Sequence, residues 1–128
     1  MREELERKLI IDFPMLYRQA RQETPLRNPI SYGFECGDGW FDLVYDLSNK
    51  LTEYAIENKL TIEAEQVKEK FGGLRFYISS NANTNQNFYL QLLLQQAEVK
   101  SCQICEVCGK PGKLQGDNWY SVKCDAHK

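Results

Sequence analysis

Histidine occurs once in this chain and proline four times, and apolar residues run together for no more than three positions, as at Leu92, Leu93 and Leu94. Each scarcity excludes something. With one histidine, no serine or cysteine nucleophile is backed by a second imidazole. The chain also shows no Gly-rich phosphate loop with its lysine and no carboxylate pair of evident geometry. Such short apolar runs fall far below the roughly 18 residues of a membrane span, so no membrane partner is expected. The few prolines, set beside 12% aromatic residues, argue against a disordered chain. Charge of one sign is missing too. The 16 Lys+Arg against 18 Asp+Glu leave a net charge of -2, without the basic excess of a protein that holds nucleic acid through its phosphates. The amino-terminal MREELERKLI is charged from its second residue and has no apolar h-region, which predicts a cytoplasmic location. On this inventory an enzyme is not expected.

What is present fits one ordinary domain of 128 residues with a modest core, its apolar fraction being 42%. The outlier is cysteine. Four of the five lie between Cys102 and Cys124. In a reducing cytosol a disulfide framework is disfavoured and the odd count would leave one thiol over, so a metal site is the better reading.

Periodicity places the elements. Leu5, Leu9, Phe13, Leu16 and Ala20 form the buried stripe of a helix over residues 3–21, kinked at Pro14, with Asp12 available to cap its second piece. Residues 22–28 read as a polar connection. Ile30, Tyr32, Phe34 and Cys36 alternate as in a half-buried strand. Asp38, inside Gly37-Asp38-Gly39, is placed to N-cap the next helix. Trp40, Leu43, Val44, Leu47, Leu51, Tyr54 and Ala55 line one face of that helix.

Gly72-Gly73 predicts a hairpin turn between strands at 62–71 and 74–80, with Phe71 opposite Leu74. This register sets Val67, Phe71, Leu74, Phe76 and Ile78 on one face, together with Glu69. On the other, Lys70 lies beside Arg75 and Lys68 beside Tyr77. A last helix is predicted over 85–100, capped by Thr84. Its stripe is Phe88, Leu92 and Val99, widened by Leu93, Leu94 and Ala97.

Beyond Lys100 the periodicity ends, and the chemistry begins. Cys105-Glu106-Val107-Cys108-Gly109 is CxxCG, and Cys124-Asp125-Ala126-His127 is CxxH, with fifteen residues between Cys108 and Cys124. A CxxC turn aims two thiolates at one ion, and a second pair completes a tetrahedron. Lys110-Pro111-Gly112 is a turn signal, and residues 118–123 carry a short strand signal. The layout is that of a zinc-stapled, zinc-finger-like hairpin whose metal ligands are Cys105, Cys108, Cys124 and His127. Cys102 repeats the three-residue step and could replace one member; a redox or iron-sulfur role is the weaker reading. Cys36 reads as a buried structural thiol. Four protein ligands leave no open position for activated water, so the zinc is expected to be structural.

Lys68, Lys70, Arg75 and Tyr77 form the best binding feature. Its bland reading is a solvated sheet face. Its functional reading is recognition of an anion, with the guanidinium forking onto a phosphate or carboxylate and the ring stacking on a base. Glu35, Asp38 and Trp40 join the candidate ligand-binding set. Glu35, Asp38 and Asp42 are also the acidic candidates for general acid or base chemistry, although caps and solvated helix faces account for them.

FECGDGWFDL at 34–43, VKEKFGGLRFYI at 67–78 and ICEVCGKPGKL at 104–114, closed by Cys-Asp-Ala-His at 124–127, together resemble a family of small uncharacterised phage and prophage proteins. The similarity runs over residues 14–127. It implies a bacterial host cell, maps the family's cysteine-histidine motif onto Cys105, Cys108, Cys124 and His127, and suggests by analogy a counter-defence accessory factor.

The expectation is one α+β domain over residues 1–128, a small antiparallel sheet packed with helices, with a zinc-binding subregion at 102–128. Its function is read as non-enzymatic binding of an anionic, nucleotide-like small molecule or a host protein. A nucleic-acid-binding zinc finger is the alternative, and a small enzyme using Glu35 or Asp38 the weakest. Trp119-Tyr120 or an edge strand could support an oligomer.

Overall fold

The computed structural model describes residues 1–21 and 28–128, so the predicted connection falls almost entirely outside the described residues. The fold is α+β. Its elements are α1 (Glu3–Asp12), α2 (Phe41–Asn58), β1 (Ile62–Lys70), β2 (Gly73–Ser80), α3 (Thr84–Ser101), β3 (Lys113–Gln115) and β4 (Ser121–Lys123), with short 3-10 turns at Arg18–Arg21, Pro29–Tyr32 and Asp38–Trp40. The strands form two antiparallel pairs, β1 with β2 and β3 with β4.

Helix α1 stops sooner than its apolar stripe suggests. A proline disfavours helical backbone in the residue before it, and Phe13 accordingly sits at φ -128°, ψ 63°. Asp12 does not cap a second helix. Its carboxylate accepts from Lys8 Nζ at 2.9 Å and from the Tyr45 hydroxyl at 2.7 Å, tying the end of α1 to α2. The stripe still reaches the core, because Leu9, Phe13, Leu16 and Tyr17 are all buried. Tyr17 stacks edge-on against Phe34 at 5.1 Å, and its hydroxyl meets Ser48 Oγ at 2.5 Å.

The predicted strand at 30–36 is not a strand. Pro29 opens a 3-10 turn that ends at Gly33, and only Glu35 pairs with β1. That pairing is parallel: the Glu35 amide donates to Val67 O at 2.9 Å, and the Glu69 amide donates to Glu35 O at 3.0 Å. The alternation nevertheless marked the inward side chains Ile30, Phe34 and Cys36; Tyr32 is the exception, exposed on the surface.

In the β1/β2 hairpin, Lys70 pairs with Gly73, Glu69 with Leu74, Lys68 with Arg75 and Val67 with Phe76, and the register shifts between Ala64 and Gln66. The two turn residues are Phe71 and Gly72, at φ 54° and 88°, rather than Gly72 and Gly73. The predicted faces survive, since Val67, Leu74 and Phe76 are buried, but Phe71 leaves the sheet and is exposed.

Helix α2 buries Leu43, Val44, Leu47, Ser48 and Leu51, with Trp40 buried just ahead of it. Tyr54 and Ala55 are partly buried against the same core. Helix α3 corrects two expectations. Its cap is Asn83, in a reciprocal box: Asn83 Oδ1 accepts from the Gln86 amide at 2.8 Å, and Gln86 Oε1 accepts from the Asn83 amide at 3.0 Å. Its buried side chains are Leu90, Leu93, Ala97 and Ser101, while Phe88, Leu92 and Val99 face outward. Among the described residues no helix is long and apolar enough to cross a membrane.

Candidate metal centre and its surroundings

Four segments deliver the site. At the end of α3, the amides of Gln103 and Ile104 donate to Lys100 O and Ser101 O, so the chain unwinds through a tight turn into Cys105. Ser101 pins this corner: its Oγ accepts from the Leu74 amide at 2.9 Å and donates to Glu98 O at 2.5 Å. The Cys105 amide then donates to Lys110 O at 2.7 Å and the Gly109 amide to Cys105 O at 2.9 Å, closing a knuckle that carries Cys105 and Cys108. The β3/β4 hairpin brings back Cys124, and a turn in which the His127 amide donates to Cys124 O at 3.1 Å presents the imidazole.

The ligand atoms of Cys105, Cys108, Cys124 and His127 lie within 4.8 Å of one another, and all five cysteines of the chain are free thiols. Cys108 Sγ and Cys124 Sγ are 3.7 Å apart, and His127 Nδ1 is 3.1 Å from Cys124 Sγ and 3.8 Å from Cys105 Sγ. Metal–sulfur bonds of about 2.3 Å in a tetrahedron require edges of about 3.8 Å, close to the Cys108–Cys124 and Cys105–His127 separations, so the cluster is consistent with a metal site.

Electrostatics differs between the donors. Burial pushes the Cys105 thiol up, but the amides of Cys108, Cys124 and Val107 turn toward its sulfur and bring it down to about 6. At Cys108 the Lys110 amide favours the thiolate, yet burial and the neighbouring sulfurs of Cys124 and Cys105 outweigh it and raise the thiol above its ordinary value. Three thiolates in one cage repel one another, and a bound dication relieves that repulsion.

The knuckle is built into the core by the Gly37-Asp38-Gly39 loop. The Gly39 amide donates to Glu106 O at 2.8 Å, and the Gly37 amide donates to the Glu106 carboxylate at 2.9 Å. A Cβ at Gly37 would collide with the Glu106 carbonyl, and one at Gly39 with the Cys105 carbonyl. Two backbones can approach this closely only where side chains are missing. Fully buried Trp40 completes the junction, its Nε1 donating to Ile104 O at 2.9 Å. Glu106 is half-buried, and burial raises its carboxyl above the usual carboxylate range.

The remaining candidates are scattered. Cys102 lies outside the ligand cluster, its sulfur turned toward Gly73. Cys36 is buried, and that burial pushes its thiol up to about 12. Trp40 is part of the core. Asp38 does not cap the following helix; it accepts from the Arg2 amide at 2.7 Å and pairs with Arg2 Nε at 3.0 Å, which places its charge at the start of α1. Glu35 accepts from Gln66 Nε2 at 3.3 Å. Asp42 stands in the first turn of α2.

On the hairpin, Lys68 lies opposite Arg75 and Tyr77 opposite Gln66, so the predicted pairs Lys70 with Arg75 and Lys68 with Tyr77 do not form. Arg75 Nη1 is held by Glu98 at 2.9 Å. Lys70 and Tyr77 are exposed and Lys68 is half-buried. Sequence reasoning missed that Lys70 and Phe71 lie against the β3/β4 turn; the exposed aromatic pair Trp119-Tyr120 was the signal for that surface.

Comparison with protein-family models, with curated proteins and with solved structures found no match to the chain.

Proposed function

We propose that this protein is a non-enzymatic binding module, of the accessory kind that a phage deploys against host defence, whose Cys105, Cys108, Cys124 and His127 hold a structural zinc ion and whose ligand is an anionic, nucleotide-like small molecule. The observation that carries the reading is closure. Four protein donors within 4.8 Å of one another would together fill the four positions of a tetrahedral zinc, leaving none for the activated water of zinc hydrolysis. The metal's task is then to hold the knuckle against the core, and function falls to the surface it shapes. Cations supply that surface's preference. With Arg75 already tied to Glu98, the anion is received by Lys68 and Lys70.

Two measurements test this. Elemental analysis of the purified protein is expected to find one zinc per chain; none, or a chelator that leaves thermal unfolding unchanged, overturns the metal assignment. Mass spectrometry of small molecules released from protein purified out of infected cells is expected to find a stoichiometric nucleotide. Recovery of a tightly bound host protein with no small molecule overturns the ligand class. Binding to random DNA that weakens steeply with salt supports the nucleic-acid reading instead.

A further inference from the structure

Where the two hairpins meet, their turns form a cleft. Gly72 brings them together: a Cβ there would collide with Leu114 Cδ1 and touch Ser121 N and the Tyr120 carbonyl carbon, each at 3.4 Å, so glycine lets the β1/β2 turn lie directly on the β3/β4 hairpin. The cleft between them, of about 260 Å³, is lined by Glu69, Lys70 and Phe71 on one side and Asn118, Trp119 and Tyr120 on the other. Trp119 is 82% exposed and Phe71 69%. Large rings left in water at one mouth, rimmed by polar groups, are the mark of a recognition surface rather than of a core.

Resting on the reading that the ligand is nucleotide-like, we propose that this cleft is the binding site, with the base stacked on Trp119 and Phe71 and the phosphate at Lys70. Each wall supplies one part. Aromatic faces accept any base, because every base has a π face. Lys70 holds its ammonium over the Phe71 ring, 5.5 Å from its centre, so the phosphate would sit on that side and the base would stack on Trp119 and on the other face of Phe71. Glu69, one oxygen of which accepts from the Gly72 amide at 2.8 Å, and Asn118 also line the cleft and bring an acceptor and a donor for a base edge. A strand of nucleic acid and a free nucleotide offer the same base and phosphate, and the test separates them.

The test uses the zinc-loaded full chain and AMP as probe, followed by tryptophan emission and by calorimetry. Trp40 is buried and hydrogen-bonded, so quenching reports on Trp119. Saturable quenching by AMP is expected. Trp119→Ala and Phe71→Asn, the latter chosen because asparagine tolerates positive φ, should each weaken AMP about tenfold or more by calorimetry. Lys70→Gln should weaken AMP by about threefold and leave adenosine unchanged. All three variants should keep one zinc per chain and the parent melting temperature, since the altered side chains are exposed. An oligonucleotide that binds far more tightly than AMP, with a steep salt dependence, assigns the cleft to a strand; equal affinities assign it to the free nucleotide. AMP binding that all three variants leave unchanged overturns the cleft while sparing the nucleotide reading. No binding of AMP, other mononucleotides or the oligonucleotide overturns both.

Discussion

Two regions of this molecule are held together by different physics. Up to Ala97 the chain encloses a continuous apolar core in which Leu9, Tyr17, Ile30, Trp40, Val44, Leu51, Val67 and Leu90 are fully buried. Beyond Ser101 only Cys105 and Val122 are buried, and the hairpin is carried by three-residue strands. A strand pair that short is not stable alone in water. The candidate metal ligands stand where the apolar residues thin out, and the Gly37-Asp38-Gly39 loop and Trp40 couple the two regions. The contrast teaches that the end carrying the cysteine-histidine cluster is a continuation of the fold, joined to it at the Gly37-Asp38-Gly39 loop, through Trp40, at the Gly72 turn and by Val122 in the shared core, rather than a module appended to it.

Substitutions can break either region or the junction between them. Cys124→Ser should have the largest effect: it removes a ligand, and the free energy of a structural zinc site is of order 10 kcal/mol. Residues 102–128 should lose amide protection in hydrogen exchange and the protein its stoichiometric metal, while α2 stays protected. Leu90→Ala should cost about 2–5 kcal/mol in urea unfolding and leave zinc content unchanged, because it empties a core site away from the knuckle. Gly39→Ala should cost about 1–3 kcal/mol and, unlike Leu90→Ala, also weaken zinc retention in a chelator competition, since the added methyl meets the Cys105 carbonyl. Equal zinc retention in the two variants would show that the junction does not couple the regions. Asn83→Ala should cost about 1 kcal/mol through the lost cap of α3. Phe88→Ser should change stability by less than about 0.5 kcal/mol, as its ring is outside the core.

The cluster of Cys105, Cys108, Cys124 and His127 was legible in the sequence because a CxxC turn and a CxxH turn are local objects: spacing alone decides whether the two donors of each turn can reach one ion. The buried face of α2 was legible for a similar reason, its apolar residues being confined to one stripe. Helix α3 was not. Leu90, Leu92, Leu93, Leu94, Phe88 and Val99 surround it, so periodicity offers two apolar faces, and packing against α2 and β2 selected Leu90, Leu93 and Ala97. The hairpin turn moved by one residue because Gly72, not Gly73, has to lie against Leu114, and this forces the left-handed backbone onto Phe71. The strand expected at 30–36 failed at Pro29, whose fixed φ suits a 3-10 turn.

By itself, then, the sequence determined which cysteine and histidine side chains form the candidate metal cluster, the existence of the β1/β2 hairpin with its inner face, and the α+β class. Each rests on local patterns: the CxxC and CxxH turns, the glycine turn signal and the helix and strand periodicities. The tertiary structure alone decided which face of α3 is buried, that Arg75 is neutralised by Glu98, that Trp40 belongs to the core, and that two glycines exist to let the Gly37-Asp38-Gly39 loop touch the metal knuckle. Those outcomes depend on which distant surfaces fit one another. Close packing and hydrogen-bond geometry choose among them only once the segments have met.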